Sequence, residues 1–163
     1  MIHQISQLHT DRRAFLVGGT LSLCPVLAKA APTSIAEMIS SFTDQRRRRR
    51  GLRTLSVSNR LGHAANNFAH VLAHVEEFSH TADGQDLSER AYAASYRFRR
   101  LGENIGWTTT AREEAIARDL VRRWMASPGH RANILNPRFK DIGIGVTQTR
   151  GRTYAVQIFG TKA

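Results

Sequence analysis

The run Ser127-Pro128-Gly129-His130-Arg131-Ala132-Asn133-Ile134-Leu135 is the stretch on which the reading of this chain turns. Two further polar islands precede it: Phe78-Ser79-His80-Thr81 and Gly102-Glu103-Asn104-Ile105-Gly106. Together they bring two imidazoles and one carboxylate from loop-like positions into a chain that otherwise reads as ordinary helices and strands. That is the composition of a small metal or ligand site. Pro128-Gly129 cannot continue a helix, so the helix before them must stop near Ser127.

Working outward, the C-terminal side alternates. Ile142, Ile144 and Val146 are spaced by two, as are Tyr154, Val156 and Ile158 after Arg150-Gly151-Arg152. Alternation around a glycine-containing turn predicts a β-hairpin. On the N-terminal side, Ile116, Leu120, Val121 and Trp124 form a helical stripe, opened by Thr110-Ala111-Arg112-Glu113 as a capping box. A short helix carries Leu87, Ala91 and Ala94, starting at Asp86 or Ser88, after an Asp83-Gly84 turn. Ser58 caps a helix reaching about Glu77, with Leu61, Ala65, Phe68, Leu72 and Val75 inward. His63, Asn67, His70 and His74 fall opposite that stripe, so they read as solvated rather than as a metal pair. Ile35, Met38, Ile39 and Phe42 mark a first helix.

Arg46, Arg47, Arg48, Arg49 and Arg50 then form a block of five arginines closed by Gly51. It reads either as a solvated basic turn or as a contact for anionic material. No aromatic platform adjoins it, which argues against nucleic acid.

The N-terminal segment, residues 1–30, reads as an export signal. Arg12-Arg13 precede a Phe15–Ala28 apolar segment too short to span a membrane, and Ala28-Lys29-Ala30 offers a small-x-small cleavage site. The twin-arginine pattern is the expectation here. A general secretory signal and a lipobox around Cys24 are the alternatives. Cleavage near Ala30 leaves residues 31–163 as one domain of 133 residues, large enough for a core of its own. Cys24 is the only cysteine, so that domain holds no disulfide. The 163 residues carry a net charge of +11; without residues 1–30 the counts are 21 basic and 12 acidic, a net of +9. Such a field favours anionic partners. No other stretch is apolar enough to span a membrane.

The ordered set of motifs resembles the CAP superfamily, which holds the cysteine-rich secretory, antigen 5 and pathogenesis-related 1 proteins. The residues that carry the resemblance are Phe78-Ser79-His80-Thr81, Gly102-Glu103-Asn104-Ile105, Trp124-Met125-x-Ser127-Pro128-Gly129-His130-Arg131-x-Asn133-Ile134-Leu135 and Val156-Gln157-Ile158-Phe159-Gly160. The nearest branch is the bacterial, cysteine-free SCP-like extracellular type. The resemblance implies an α+β fold, an α-β-α sandwich with a mostly antiparallel central sheet. It also implies a cavity in which His80, His130 and Glu103 hold zinc or another divalent ion, with Asn104 and Ser127 lining it. Ser127 stands where a second acidic residue occurs in the family's eukaryotic members, so the acid set is incomplete.

The functional expectation is an exported, monomeric binding module, periplasmic or secreted. Its partner would be a lipid, a glycan or an anionic envelope polymer, with no nucleic acid and no transmembrane span. The alternative is a metal-dependent hydrolase of peptide or cell-wall bonds with Glu103 as base. A simple hydrogen-bonded lock between the histidine loops is the plainer reading of the same residues.

Overall fold

The computed structural model describes residues 34–75 and 77–163, so the expected export signal lies outside the described residues. Ser34 opens the first helix, α1 (Ile35–Arg48). Its hydroxyl accepts from the Glu37 amide, and the Glu37 carboxylate accepts from the Ser34 amide, a reciprocal capping box. Ile35, Ile39, Thr43 and Arg47 follow one another at four-residue steps on its buried face. After the two-residue strand β1 (Ser56–Val57), Ser58 caps α2 (Asn59–His74). The helix ends short of the expected Glu77. Val75 lies beyond it and is exposed rather than part of the stripe.

Helix α3 (Leu87–Ala93) starts from Asp86, whose carboxylate and that of Glu89 form a second capping box. The expected box at Thr110–Glu113 does not form. Helix α4 (Glu113–Ala126) has Arg112 at its N-cap with no side-chain cap, while the Thr110 amide donates instead to the Thr108 hydroxyl.

Two of the islands read as loops are regular structure. Gly102–Trp107 lies inside β2 (Phe98–Thr108). Its Gly, Glu and Asn residues disguise a strand because they meet partners on both faces. Pro128 ends α4 as expected and also begins α5 (Pro128–Ile134). Proline suits the first helical position, where its missing N–H would have no partner anyway. The hairpin is as expected: β3 (Asp141–Thr149) and β4 (Arg152–Lys162) pair antiparallel from Asp141↔Gly160 to Thr149↔Arg152. Arg150 and Gly151 in the turn have φ of 47° and 72°. A two-residue hairpin turn with both φ positive favours Asn or Gly at each position, so Arg150 holds a backbone conformation costing about 1 kcal/mol.

The sheet order is β1-β3-β4-β2, parallel only between β1 and β3. One face packs α2 and α3 through Leu61, Phe68, Leu72, Val156 and Ile158. The other packs α1, α4 and α5 through Ile39, Ile116, Leu120, Trp124, Ile134 and Phe159. This is the expected α-β-α sandwich. The β3 glycines alternating with Ile142, Ile144 and Val146 set the spacing of the first layer. A Cβ on Gly143 would meet the backbone of Leu61 and Gly62, and one on Gly145 the backbone of Ala65 and Asn66. Helix α2 therefore lies directly on the main chain of β3. No helix among the described residues is long and apolar enough to cross a membrane.

Candidate functional site

Glu103 sits at the middle of β2, paired with Ile158 of β4, and is buried. Its carboxylate has two partners. His80, in the turn after α2, places Nδ1 2.7 Å from Glu103 Oε1. Arg90 of α3 donates from Nη2 to Oε2 at 3.1 Å and to Oε1 at 3.3 Å.

Arg90 is the organising residue that sequence reasoning missed. It is 5 % exposed. It also donates from Nη2 to the His80 carbonyl at 2.9 Å and from Nη1 to Asp83 Oδ1 and the Gln85 carbonyl at 2.8 Å. Its guanidinium lies 3.8 Å from the Phe68 ring centroid. Only Nε, among buried side-chain nitrogens and oxygens of the described residues, lacks a hydrogen bond. A buried cation needs this number of partners to offset the loss of water. One arginine thus holds the His80 turn against the sheet. The only local signal was an arginine on the α3 face otherwise marked by Leu87 and Ala91.

A carboxylate only accepts, so His80 Nδ1 carries its proton toward Glu103 and Nε2 is left as the free ring nitrogen. His80 itself remains largely solvent-facing, with its side chain 54 % exposed. His130, the third residue of α5, is half-buried. Burial lowers its pKa from the ordinary 6.5, and the nearby His80 lowers it further. It borders a cavity of about 240 Å³ with Phe78, Ile105, Trp107, Leu120, Arg123 and Trp124.

A buried polar chain sets the position of α5. Asn133 Nδ2 donates to the Glu103 carbonyl at 3.0 Å and to Asn104 Oδ1 at 2.9 Å. Asn104 Nδ2 donates to the His130 carbonyl at 3.1 Å and to Gln157 Oε1 at 3.0 Å. Gln157 Nε2 reaches Thr43 Oγ1 at 2.7 Å. No buried nitrogen or oxygen of these side chains lacks a hydrogen-bond partner, so they join β2, β4, α5 and α1 without orphaned atoms.

These contacts revise the expected roles. Asn104 is fully buried and braces the core instead of lining a cavity. Ser127 is the residue between α4 and α5 and does not border the cavity beside His130. Glu103 is committed to Arg90 and His80. Among the described residues no group of three or more His, Cys, Asp and Glu is placed to hold a metal ion. The residues present therefore do not fit the His80, His130 and Glu103 ligand set. Glu103 instead orients His80, the position a carboxylate takes behind an imidazole.

Arg46 to Arg50 also divide. Arg47 is buried, 1 % exposed. Its Nε donates to the Arg53 carbonyl at 2.9 Å, and its Nη1 to the carbonyls of Ile134 and Asn136 at 2.8 and 2.9 Å. It is not an anion contact. Arg46 is half-buried, and Arg48, Arg49 and Arg50 are exposed.

The model of the CAP family, the cysteine-rich secretory proteins, matches residues 41–159. The chain belongs to the CAP family. The uncharacterized protein YkwD of Bacillus subtilis is 28% identical over 163 residues, covering 93% of this chain and 60% of its own length. The CAP chain thus spans about 60% of that curated relative. Among solved structures, an extracellular protein containing a SCP domain from Bacillus anthracis superposes with a TM-score of 0.70 at 25% identity. That match covers 78% of this chain and 40% of the other. An outer surface protein from Borrelia burgdorferi shares the CAP fold with a TM-score of 0.70 at 20% identity, covering 78% and 92%. The bacterial SCP-like type is the branch that fits.

Proposed function

We propose that this chain is an exported CAP-domain module that binds anionic envelope material through one end of its sandwich, and that it is not a hydrolase. One observation carries the reading: a band of exposed cations crosses the end of the sheet. Strand β2 begins beside Arg97, Arg99 and Arg100, next to Lys162 of β4 through the pair Phe98↔Lys162. Lys140 follows, donating its amide to the Gly160 carbonyl and accepting from Ser56. Arg138 and Arg53 lie beside it in sequence, and Arg47 ties the Arg53 segment to the end of α1, where Arg48, Arg49 and Arg50 stand. None of these exposed cations takes part in an ion pair among the described residues. Unpaired positive charge gathered at one end attracts anionic surfaces and polymers.

Hydrolysis lacks its base. Glu103 Oε1 and Oε2 are occupied by the Arg90 guanidinium and His80 Nδ1, so neither oxygen is left open to a substrate water. Export is supported by the names of the two similar solved structures, an extracellular protein and an outer surface protein, and by the Arg12-Arg13 leader pattern. Release near Ala30 would place the domain in the periplasm or outside the cell.

The binding experiment is cosedimentation of the chain with phosphatidylglycerol vesicles across a salt series. Binding weakens steeply with salt. Replacing Arg97, Arg99 and Arg100 together by Gln costs about 3 kcal/mol, roughly a hundredfold, at about 1 kcal/mol for each cation. Affinity indifferent both to salt and to this triple replacement would overturn the reading. Export is checked separately by replacing Arg12 and Arg13 with Lys. Undiminished exported protein refutes the twin-arginine route.

A further inference from the structure

We propose a second site at the opposite end of the sandwich: a groove that binds an acidic oligosaccharide, a short chain of carboxylate-bearing sugars. It deepens the proposed envelope-binding reading by naming a ligand class, and it rests on that reading for where such sugars would be met.

The groove lies between the end of α2, the end of β2 and the β3–β4 turn. Its volume is about 640 Å³, within the range of small-ligand sites. Its aromatic wall comes from three places. Trp107 and Tyr154 are directly opposed in the β2–β4 register, so both rings stand on the same face of the sheet. Phe78 lies 6.4 Å from Tyr154, centroid to centroid. Val75, Phe78 and Trp107 are three of the five exposed large apolar side chains among the described residues, and all three border this groove. Gathering exposed apolar groups around one concavity marks a binding site rather than scatter.

The polar complement is cationic. Arg150 and Arg152 flank the turn and line the groove, and Arg152 lies 4.8 Å from the Trp107 ring centroid. Neither arginine joins an ion pair among the described residues. Arg150 occupies a turn position with φ of 47°, where Asn or Gly would sit without strain. A residue kept in a disfavoured conformation points to a role for its side chain. His74 adds a hydrogen-bonding group at the rim.

A pyranose ring has two apolar C–H faces and a rim of hydroxyls. It packs its faces on aromatic rings and offers its rim to polar side chains, and a carboxylate adds a charge-assisted fork to arginine. The groove supplies each of these at once. A bilayer is a poorer fit, because the rings line a concavity that a flat surface does not enter. A nucleotide also stacks on aromatic rings, so it enters the experiment as a competitor.

The experiment is calorimetric titration of the full chain with tetragalacturonate, followed in parallel by tryptophan fluorescence. The expected result is saturable binding that maltotetraose does not reproduce. Arg150→Gln, Arg152→Gln and Trp107→Ala each weaken it by about tenfold or more. The Arg97, Arg99 and Arg100 replacement at the other end changes it less than about threefold, since an exposed charge far from the ligand contributes little at physiological salt. Thermal unfolding of each variant confirms that it folds.

No saturable binding, equal affinity for maltotetraose, or tighter binding of ATP than of tetragalacturonate overturns the proposal. Loss of sugar binding in the basic-end variant but not in the groove variants also overturns it, while leaving the envelope-binding reading intact. Groove binding that persists when vesicle binding is salt-indifferent would instead remove only that earlier reading.

Discussion

Replacing Arg47 by Ala separates structure from ligand binding within the arginine block. Arg47 donates to three main-chain carbonyls, those of Arg53, Ile134 and Asn136, from a site only 1 % exposed. Hydrogen bonds from a charged donor contribute about 1.5–3 kcal/mol each. The burial that lowers the Arg47 pKa, partly countered by Asp44, is a cost recovered on truncation. The carbonyls left behind and the vacated volume act in the other direction. The net loss is therefore about 3–5 kcal/mol. For a domain near this size, roughly 4 °C per kcal/mol turns that into a fall in Tm of about 12–20 °C. Exposed Arg49→Ala is the matched control, costing under about 1 kcal/mol through the helix C-terminus alone. Differential scanning calorimetry of both proteins, with phosphatidylglycerol cosedimentation alongside, gives the answer. Equal Tm values for the two variants, or lost vesicle binding in Arg47→Ala at an unchanged Tm, would refute the assignment of Arg47 to the interior.

Other predictions address the sheet, the site and its titration. Gly145→Ala drives a methyl into the backbone of Ala65 and Asn66, and circular dichroism should find it unfolded or stripped of more than about 3 kcal/mol. Gly62→Ala, where a Cβ meets nothing, should instead match or exceed the parent by up to about 1 kcal/mol in the same scan. Glu103→Gln leaves Arg90 buried with one carboxylate fewer, so urea denaturation should show a loss of about 3 kcal/mol; a change below about 1 kcal/mol would mean Asp83 suffices. The His130 pKa is depressed in the folded state, so the unfolded chain takes up its proton first as pH falls. Stability contributed by His130 is then complete above about 6.5 and is lost as pH drops toward the folded value. His130→Gln should flatten that part of the stability–pH curve, and an unchanged slope would count against it. With no three-ligand set available, zinc titration should show only weak binding, little altered by Glu103→Gln; tight one-to-one binding would contradict the ligand geometry.

Much of the architecture was legible in local pattern. The period-two runs around Arg150-Gly151 determined the hairpin, because successive side chains of a strand point to opposite faces. The stripes at Leu61–Leu72 and Ile116–Trp124 determined two helices, because a period of about 3.6 brings those positions onto one face. The ordered islands around His80, Glu103 and His130 determined the family. What the sequence by itself could not settle was the fate of its polar groups. Glu103 and Asn104 lie in a strand that reads as a loop, since a buried polar residue is tolerated only when a distant partner meets it. Arg90, thirteen residues away, is that partner for Glu103; Asn133 and Gln157 are the partners for Asn104. Arg47 looked like one of five equivalent arginines, although the four-residue step from Ile35 through Ile39 and Thr43 passes through it. Only the tertiary structure decided that three carbonyls wait at the end of that step. Periodicity reports which face of an element is turned inward. Whether a charge can follow it there depends on hydrogen-bond partners that folding alone brings together.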